Sequence, residues 1–179
     1  MPKTIWPTLL TVSNFTCGLL SIFAVLAGHF SAAIYYILFG LLFDVFDGWT
    51  ARKLEASSAF GKELDSLSDI VTFGIAPAIF TYMFLLNELG QVGLILVIGY
   101  SVCAALRLAR FNATQSDLPT FIGLPVPAAA MGLLLVTSLF SPMIVAIMIC
   151  ALSYLMISNM KFPHAKKRKA EEETVDGII

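Results

Sequence analysis

Six apolar runs, Ile5–Gly28, Ala32–Trp49, Ile70–Leu86, Val92–Leu108, Val126–Phe140 and Met143–Met160, take up most of this 179-residue chain. Each is near the ~17–25 residues that a helix needs to cross a bilayer. Hydrocarbon offers no partner to backbone N–H and C=O groups, so apolar runs of this length must satisfy their hydrogen bonds internally, as helices. The sequence therefore predicts an all-α integral membrane protein: a six-transmembrane-helix bundle over residues 1–160, followed by a tail at 161–179. Composition agrees, with 58% hydrophobic and 13% charged residues and a mean hydropathy of +0.86, against roughly 45–50% apolar usage in soluble domains. The fifth and sixth runs meet at Ser141-Pro142, which permits only a tight turn. More runs follow the first, and no small-residue cleavage site does, so no removable signal peptide is expected.

Lysine and arginine set the expected orientation. With Lys3 on the cytoplasmic side, Arg52, Lys53, Lys62, Arg107, Arg110, Lys161, Lys166, Lys167, Arg168 and Lys169 fall on that side too, so all 11 basic residues face inward. The positive-inside rule then places both termini, and any site near these loops, in the cytoplasm, with the protein multi-pass in the cell membrane. The net charge of −1 conceals this asymmetry, and with no basic face apart from the tail, nucleic acid is not an expected partner. The tail, KFPHAKKRKAEEETVDGII, is a basic cluster followed by an acidic run and reads as a juxtamembrane orientation signal with a solvated end. Cys17, Cys103 and Cys150 show no ligand spacing and read as small buried apolar residues. His29 and His164 are far from each other and from the acidic residues, so neither is expected to ligate a metal or act as a base.

One stretch breaks the pattern: FDVFDGWTARKLEASSAFGKELDSLSDIV, Phe43 to Val71. On a helix Asp44 and Asp47 share a face, continued by Gly48, Ala51 and Arg52; Asp65 and Asp69 repeat the arrangement at i, i+4 at the start of the next run. Asp44 precedes Arg52 by about 12 Å of helix axis, inside the hydrocarbon. An ionised carboxylate there costs at least ~2.5–3.5 kcal/mol and is by default a functional residue. Helix capping or pairing with Arg52, Lys53 and Lys62 would suit Asp65 but not the mid-run Asp44 and Asp47. Four carboxylates with no histidine or cysteine nearby select a hard divalent cation, Mg2+, Mn2+ or Ca2+, over zinc. Gly48 and Ala51 keep a groove open beside the carboxylates, and Arg52 supplies a planar donor fork suited to phosphate; helix packing is an alternative reason for the two small residues. The combination predicts a site for a phosphorylated molecule at the membrane surface.

These residues spell D-x2-D-G-x2-A-R-x8-G-x3-D-x3-D, with Asp44, Asp47, Gly48, Ala51, Arg52, Gly61, Asp65 and Asp69 in register. This signature resembles that of the CDP-alcohol phosphatidyltransferases, without a departure, and the six-run length fits the family along the whole chain. The flanking strings SNFTCGLLSI, ELDSLSDIVTFGIAPA, RLARFN and LPTFIGLPVPAAA are similar to those of the bacterial and archaeal members that use serine as acceptor. The resemblance implies a reaction in which CDP-diacylglycerol and L-serine give phosphatidylserine and CMP, in a homodimer. It implies that Asp44, Asp47 and Asp65 ligate one or two metal ions, and that Asp69 is the catalytic base and a further metal contact. It also implies that Gly48, Ala51, Arg52 and Ser58 line the CDP site, with Gly61 setting the turn.

Other polar residues carry two readings each. Arg107 and Arg110, with Asn112 after them, either hold the serine carboxylate or a lipid phosphate, or anchor the inner leaflet by snorkelling. Asn14 either points into the CDP-diacylglycerol cavity or makes an interhelical hydrogen bond. An acceptor such as glycerol 3-phosphate or an inositol phosphate would call for more basic residues than Arg52, Lys53, Lys62, Arg107 and Arg110. A cation transporter would call for acidic residues through the membrane depth, whereas Glu88 is the only one expected in an outer loop.

Overall fold

The computed structural model describes residues 5–54, 58–115, 121–158 and 161–162. Seven α-helices run in chain order: α1 (Ile5–Leu26), α2 (Phe30–Lys53), α3 (Ala59–Asp69), α4 (Ala76–Phe84), α5 (Gln91–Arg110), α6 (Val126–Leu139) and α7 (Pro142–Ile157). A π-helical turn, Ile70–Ile75, joins α3 to α4 without a break, so Ala59–Phe84 is one span of helix. The third apolar run of the sequence thus begins at a helix start well before Ile70. The reason is local: Ser58 is extended, and its Oγ accepts the Gly61 N–H at 3.0 Å, capping α3. Such a cap contributes about 1 kcal/mol.

Among the described residues, four helical spans, Ile5–Leu26, Phe30–Ala51, Ala59–Phe84 and Gln91–Ala113, are long and apolar enough to cross a membrane. Val126–Leu139 and Pro142–Ile157 are apolar but shorter. Among the described residues the secondary structure is helical apart from a pair of two-residue strands, β1 (Phe121–Ile122) and β2 (Lys161–Phe162), which pair antiparallel. The expected tail therefore starts with two strand-paired residues; 163–179 lie outside the described residues, as does Lys3.

The core is apolar, with Ile37, Phe73, Phe80 and Leu133 buried, but the surface is apolar too and several small polar residues are buried. Trp6, Phe23, Phe46, Ile95, Ile147 and Tyr154 are exposed, while Thr11, Asn14, Ser21, Ser68, Thr72 and Thr81 are buried. Lipid tails tolerate the first set, and the second finds partners between helices. α1 and α2 form a tight pair, closed by Gly28 at φ +79. There the Gly28 N–H meets Val25 O at 2.9 Å and the His29 N–H meets Ala24 O at 2.8 Å, the Schellman pattern that ends a helix. Pro142 opens α7 directly after Ser141, the tight turn the sequence predicts. Cys17 is buried and Cys103 partly so, but Cys150 is exposed on the apolar surface of α7, against the expectation of burial for all three.

Small residues let α1, α2 and the π-turn approach one another closely. A Cβ at Gly18 would stand 2.9 Å from Thr72 Cα, and one at Gly40 would stand 2.6 Å from Thr72 Cγ2 and 3.0 Å from Asn14 Oδ1. Thr72 Oγ1 donates to Asn14 O at 3.0 Å across this contact. From α5, Tyr100 Oη donates to Phe73 O at 3.2 Å, and Ser101 Oγ lies 3.3 Å from Gly74 O and 3.0 Å from Val97 O, its one proton serving either.

Candidate active site

α2 presents Asp44 and Asp47 three residues apart, and α3 presents Asp65 and Asp69 four apart, so each helix offers two carboxylates from one face. Asp44, Asp47 and Asp65 each bring an oxygen within 4.8 Å of the others. Asp69 is not one of that trio and is 7% exposed, next to the π-turn. π-turns recur at functional sites because they shift the register of side chains across a helix.

α1 supplies the neighbours of these carboxylates. The Thr11 hydroxyl lies 2.9 Å from Asp47 Oδ2 and 3.0 Å from Pro7 O, so its single proton serves one of the two at a time. Asn14 Nδ2 donates to Asp69 Oδ1 at 3.2 Å. Ser68 Oγ donates to Thr11 O at 3.0 Å, tying α3 to α1 between the two contacts.

Two cavities meet at the carboxylates. The first, about 380 Å³, is bounded by Pro7, Thr8 and Thr11 on α1, Gly48 and Ala51 on α2, and Ser58, Ala59 and Gly61 at the start of α3. The second, about 390 Å³, is bounded by Asp44, Ser66, Asp69, Arg107, Phe111 and Asn112, with Val45, Leu108 and Pro125. Asp47, Gly48, Lys62 and Asp65 line both. The wall between two substrate-sized spaces is therefore made of carboxylates, one glycine and one lysine.

The donor set fits a hard divalent cation. It consists of carboxylate oxygens alone, and Asp65 Oδ1 is buried with no hydrogen-bond partner among the described residues. A buried, unpaired carboxylate oxygen beside two further carboxylates is strongly unfavourable unless a cation compensates it.

The expected site residues fall into distinct places. Gly48, Ala51, Ser58 and Gly61 line the first cavity, and Ser58 and Gly61 also form the α3 cap. The backbone of Arg52 belongs to α2, but its side chain lies outside the described residues. Arg107, 8% exposed, lines the second cavity with its guanidinium 5.4 Å over the Phe111 ring. Asn112 lines it as well, its Nδ2 2.9 Å from Ser66 Oγ and 3.4 Å from Glu63 Oε2. Arg110 instead donates from Nη1 to Ile157 O at 2.8 Å, at the end of α7. Asn14 is not among the residues that bound either cavity; it reaches the site through Asp69.

Sequence reasoning passed over Thr11, Ser66 and Ser68. A signal for Thr11 was present: Thr8, Thr11, Asn14, Gly18 and Ser21 recur at helical spacing along an otherwise apolar run, marking one small and polar face of α1.

The chain is similar in sequence to known proteins. The family model for CDP-alcohol phosphatidyltransferase matches residues 4–157. The chain is 47% identical over 165 residues to the CDP-diacylglycerol–serine O-phosphatidyltransferase of Bacillus subtilis (strain 168), covering 92% of this chain and 93% of that protein. It is 35% identical over 179 residues to the protein of the same name from Helicobacter pylori (strain J99), covering 94% and 76%. It is 37% identical over 161 residues to the archaetidylserine synthase of Methanothermobacter thermautotrophicus, covering 88% and 69%.

Proposed function

The chain belongs to the CDP-alcohol phosphatidyltransferase family, and on that premise we propose that it transfers the phosphatidyl group of CDP-diacylglycerol to the hydroxyl of L-serine, releasing CMP. The observation that carries this reading is the pair of cavities sharing a wall of Asp47, Gly48, Lys62 and Asp65. A group transfer needs two substrates to meet at one phosphorus, and a shared charged wall is where they can.

The first cavity, floored by Gly48, Ala51 and Gly61, takes the cytidine diphosphate, with Arg52 assigned to its phosphates. The second takes serine, whose carboxylate meets the Arg107 guanidinium; Asn112 lines the same space. Lys62 borders both and offsets phosphate charge as the substrates meet. The serine hydroxyl oxygen bonds to the phosphorus that carries diacylglycerol, and the bond from that phosphorus to the CMP oxygen breaks. CMP leaves with the electron pair, and Asp69 takes the hydroxyl proton. A divalent cation held by Asp44, Asp47 and Asp65, Mg2+ or Mn2+ before Ca2+ and as one or two ions, neutralises pyrophosphate charge when bound.

The wider proposal is a six-span protein of the cell membrane with both termini and the active site on the cytoplasmic side, supported by the distribution of basic residues, and acting as a homodimer as the family resemblance implies. Among the described residues, Arg107 and Lys62 are the cations that line the second cavity, which suits a serine carboxylate better than the dianionic phosphate of glycerol 3-phosphate or an inositol phosphate.

The test is CMP release from CDP-diacylglycerol by detergent-purified protein, with serine, glycerol 3-phosphate, inositol phosphate or no acceptor. Release that depends on serine is expected; release driven by a phosphate acceptor instead would overturn the assignment. EDTA should abolish turnover and Mn2+ or Mg2+ restore it, with zinc a poor substitute. Full activity in chelator would remove the metal from the mechanism.

A further inference from the structure

Four carboxylates of one residue type crowd this site, yet the reaction needs most of them to hold charge and one to accept a proton. Their neighbours differ. Asp47 is touched by a hydroxyl, from Thr11; Asp69 is touched by a primary amide, from Asn14 at 3.2 Å. Asn14 is fully buried, at 0% exposure, and its backbone carbonyl is held by Thr72 Oγ1.

The amide has one workable orientation. A carboxylate only accepts hydrogen bonds, so the NH2 group must face Asp69, and turning it over would set two oxygens against each other. The amide oxygen then lies toward α2, where Gly40 leaves it room: a Cβ at residue 40 would stand 3.0 Å from Asn14 Oδ1. That oxygen has no hydrogen-bond partner among the described residues. An unpaired polar atom kept inside an interface of small residues shows that the amide is held for its other end.

We propose that Asn14 is the positioning residue for Asp69. Resting on the transferase function proposed for this site, it sets that carboxylate for proton acceptance. By occupying Oδ1 with a neutral donor fixed on α1, Asn14 holds the carboxylate in one rotation and leaves Oδ2 for the acceptor hydroxyl. Asp69 lines the second cavity together with Asp44, Asp47 and Asp65, so an acceptor hydroxyl in that space can meet it. Gly40 is part of the device, since any side chain there would press on the amide.

The test separates positioning from metal binding and from packing. Asn14→Leu keeps volume and removes the donor. Asn14→Ser removes volume and cannot reach Asp69, so it serves if the leucine variant fails to fold. For each, serine transfer is measured against CDP-diacylglycerol and against Mn2+ concentration. The expected result is a kcat about 10–100-fold lower, the size typical of lost outer-shell partners, with the CDP-diacylglycerol KM and the half-saturating Mn2+ within about twofold of wild type and no recovery at high Mn2+. Gly40→Ala in a Thr72→Ser background, which removes the Thr72 methyl a new Cβ would strike, should give a smaller loss of the same kind. An unchanged kcat would overturn the proposal. So would a raised metal requirement that excess Mn2+ cures, because Asn14 would then act through the metal carboxylates. If wild type releases CMP with another alcohol and not with serine, the acceptor assignment fails; the same kcat, KM and metal comparison, read with that alcohol, still decides the role of Asn14.

Discussion

Asp65 and Asp69 lie on one face of α3, but only Asp65 joins the group of converging carboxylates. A base and a metal ligand fail in different ways. Asp69→Asn keeps an oxygen but cannot accept a proton, so turnover should fall by roughly 10²–10⁴ with metal and CDP-diacylglycerol binding retained. Asp65→Asn should weaken metal affinity and be partly restored by excess Mn2+. Metal titrations of both variants beside phosphatidylserine formation check the contrast; recovery of Asp69→Asn by metal would make it a ligand. Thr11 makes a third case, since its hydroxyl touches Asp47 Oδ2. Thr11→Val should weaken metal affinity about 10–100-fold and Thr11→Ser should not, as read from the Mn2+ dependence of CMP release. The type and spacing of the aspartates were legible in the sequence because intramembrane charge is conspicuous. The contacts of Thr11 and Asn14 were not, because a lone hydroxyl or amide in an apolar helix has as many possible partners as the helix has neighbours.

At the scale of elements, α1, α2 and the π-turn approach closely enough that two glycines act as spacers. Gly40→Ala would drive its Cβ onto the Thr72 methyl, whereas Gly18→Ala would meet the Thr72 backbone as well as Oγ1. Each should destabilise by about 1–3 kcal/mol, the usual range for overpacking. Thr72→Ser deletes the methyl and keeps the hydroxyl on Asn14 O, so it should recover part of the loss in Gly40→Ala and little of that in Gly18→Ala. Thermal unfolding in detergent reads the difference, and equal recovery in both would refute this account of the contact. The apolar pattern located the helices well but placed the start of the third too late. Lys62, Glu63, Asp65 and Asp69 interrupt the run there, and hydropathy counts charge as an end, whereas the helix continues through them from the Ser58 cap to Phe84. The π-turn left no mark on periodicity because it adds only a local shift of register.

For the whole molecule, orientation is the property most open to test. In a background with Cys17, Cys103 and Cys150 replaced by alanine, a cysteine at His29 should react with a membrane-impermeant maleimide in intact cells. One at Ile179 should react only after permeabilisation. The reverse pattern would place the carboxylate site on the outer side. By itself the sequence determined the all-helical membrane architecture, since apolar runs of bilayer length admit no other solution. It also carried the carboxylates of a cluster that could hold a cation, Asp44, Asp47 and Asp65, and the family in the fixed spacing from Asp44 to Asp69. The tertiary structure decided which carboxylates converge, that Arg107 lines the second cavity while Arg110 binds the end of α7, and that Asn14 donates to Asp69 without bounding the first cavity. Helical periodicity fixes which residues share a face of one helix; the rotation and depth of each helix against its neighbours follow from side-chain packing across the whole bundle, and those two quantities set every distance between them.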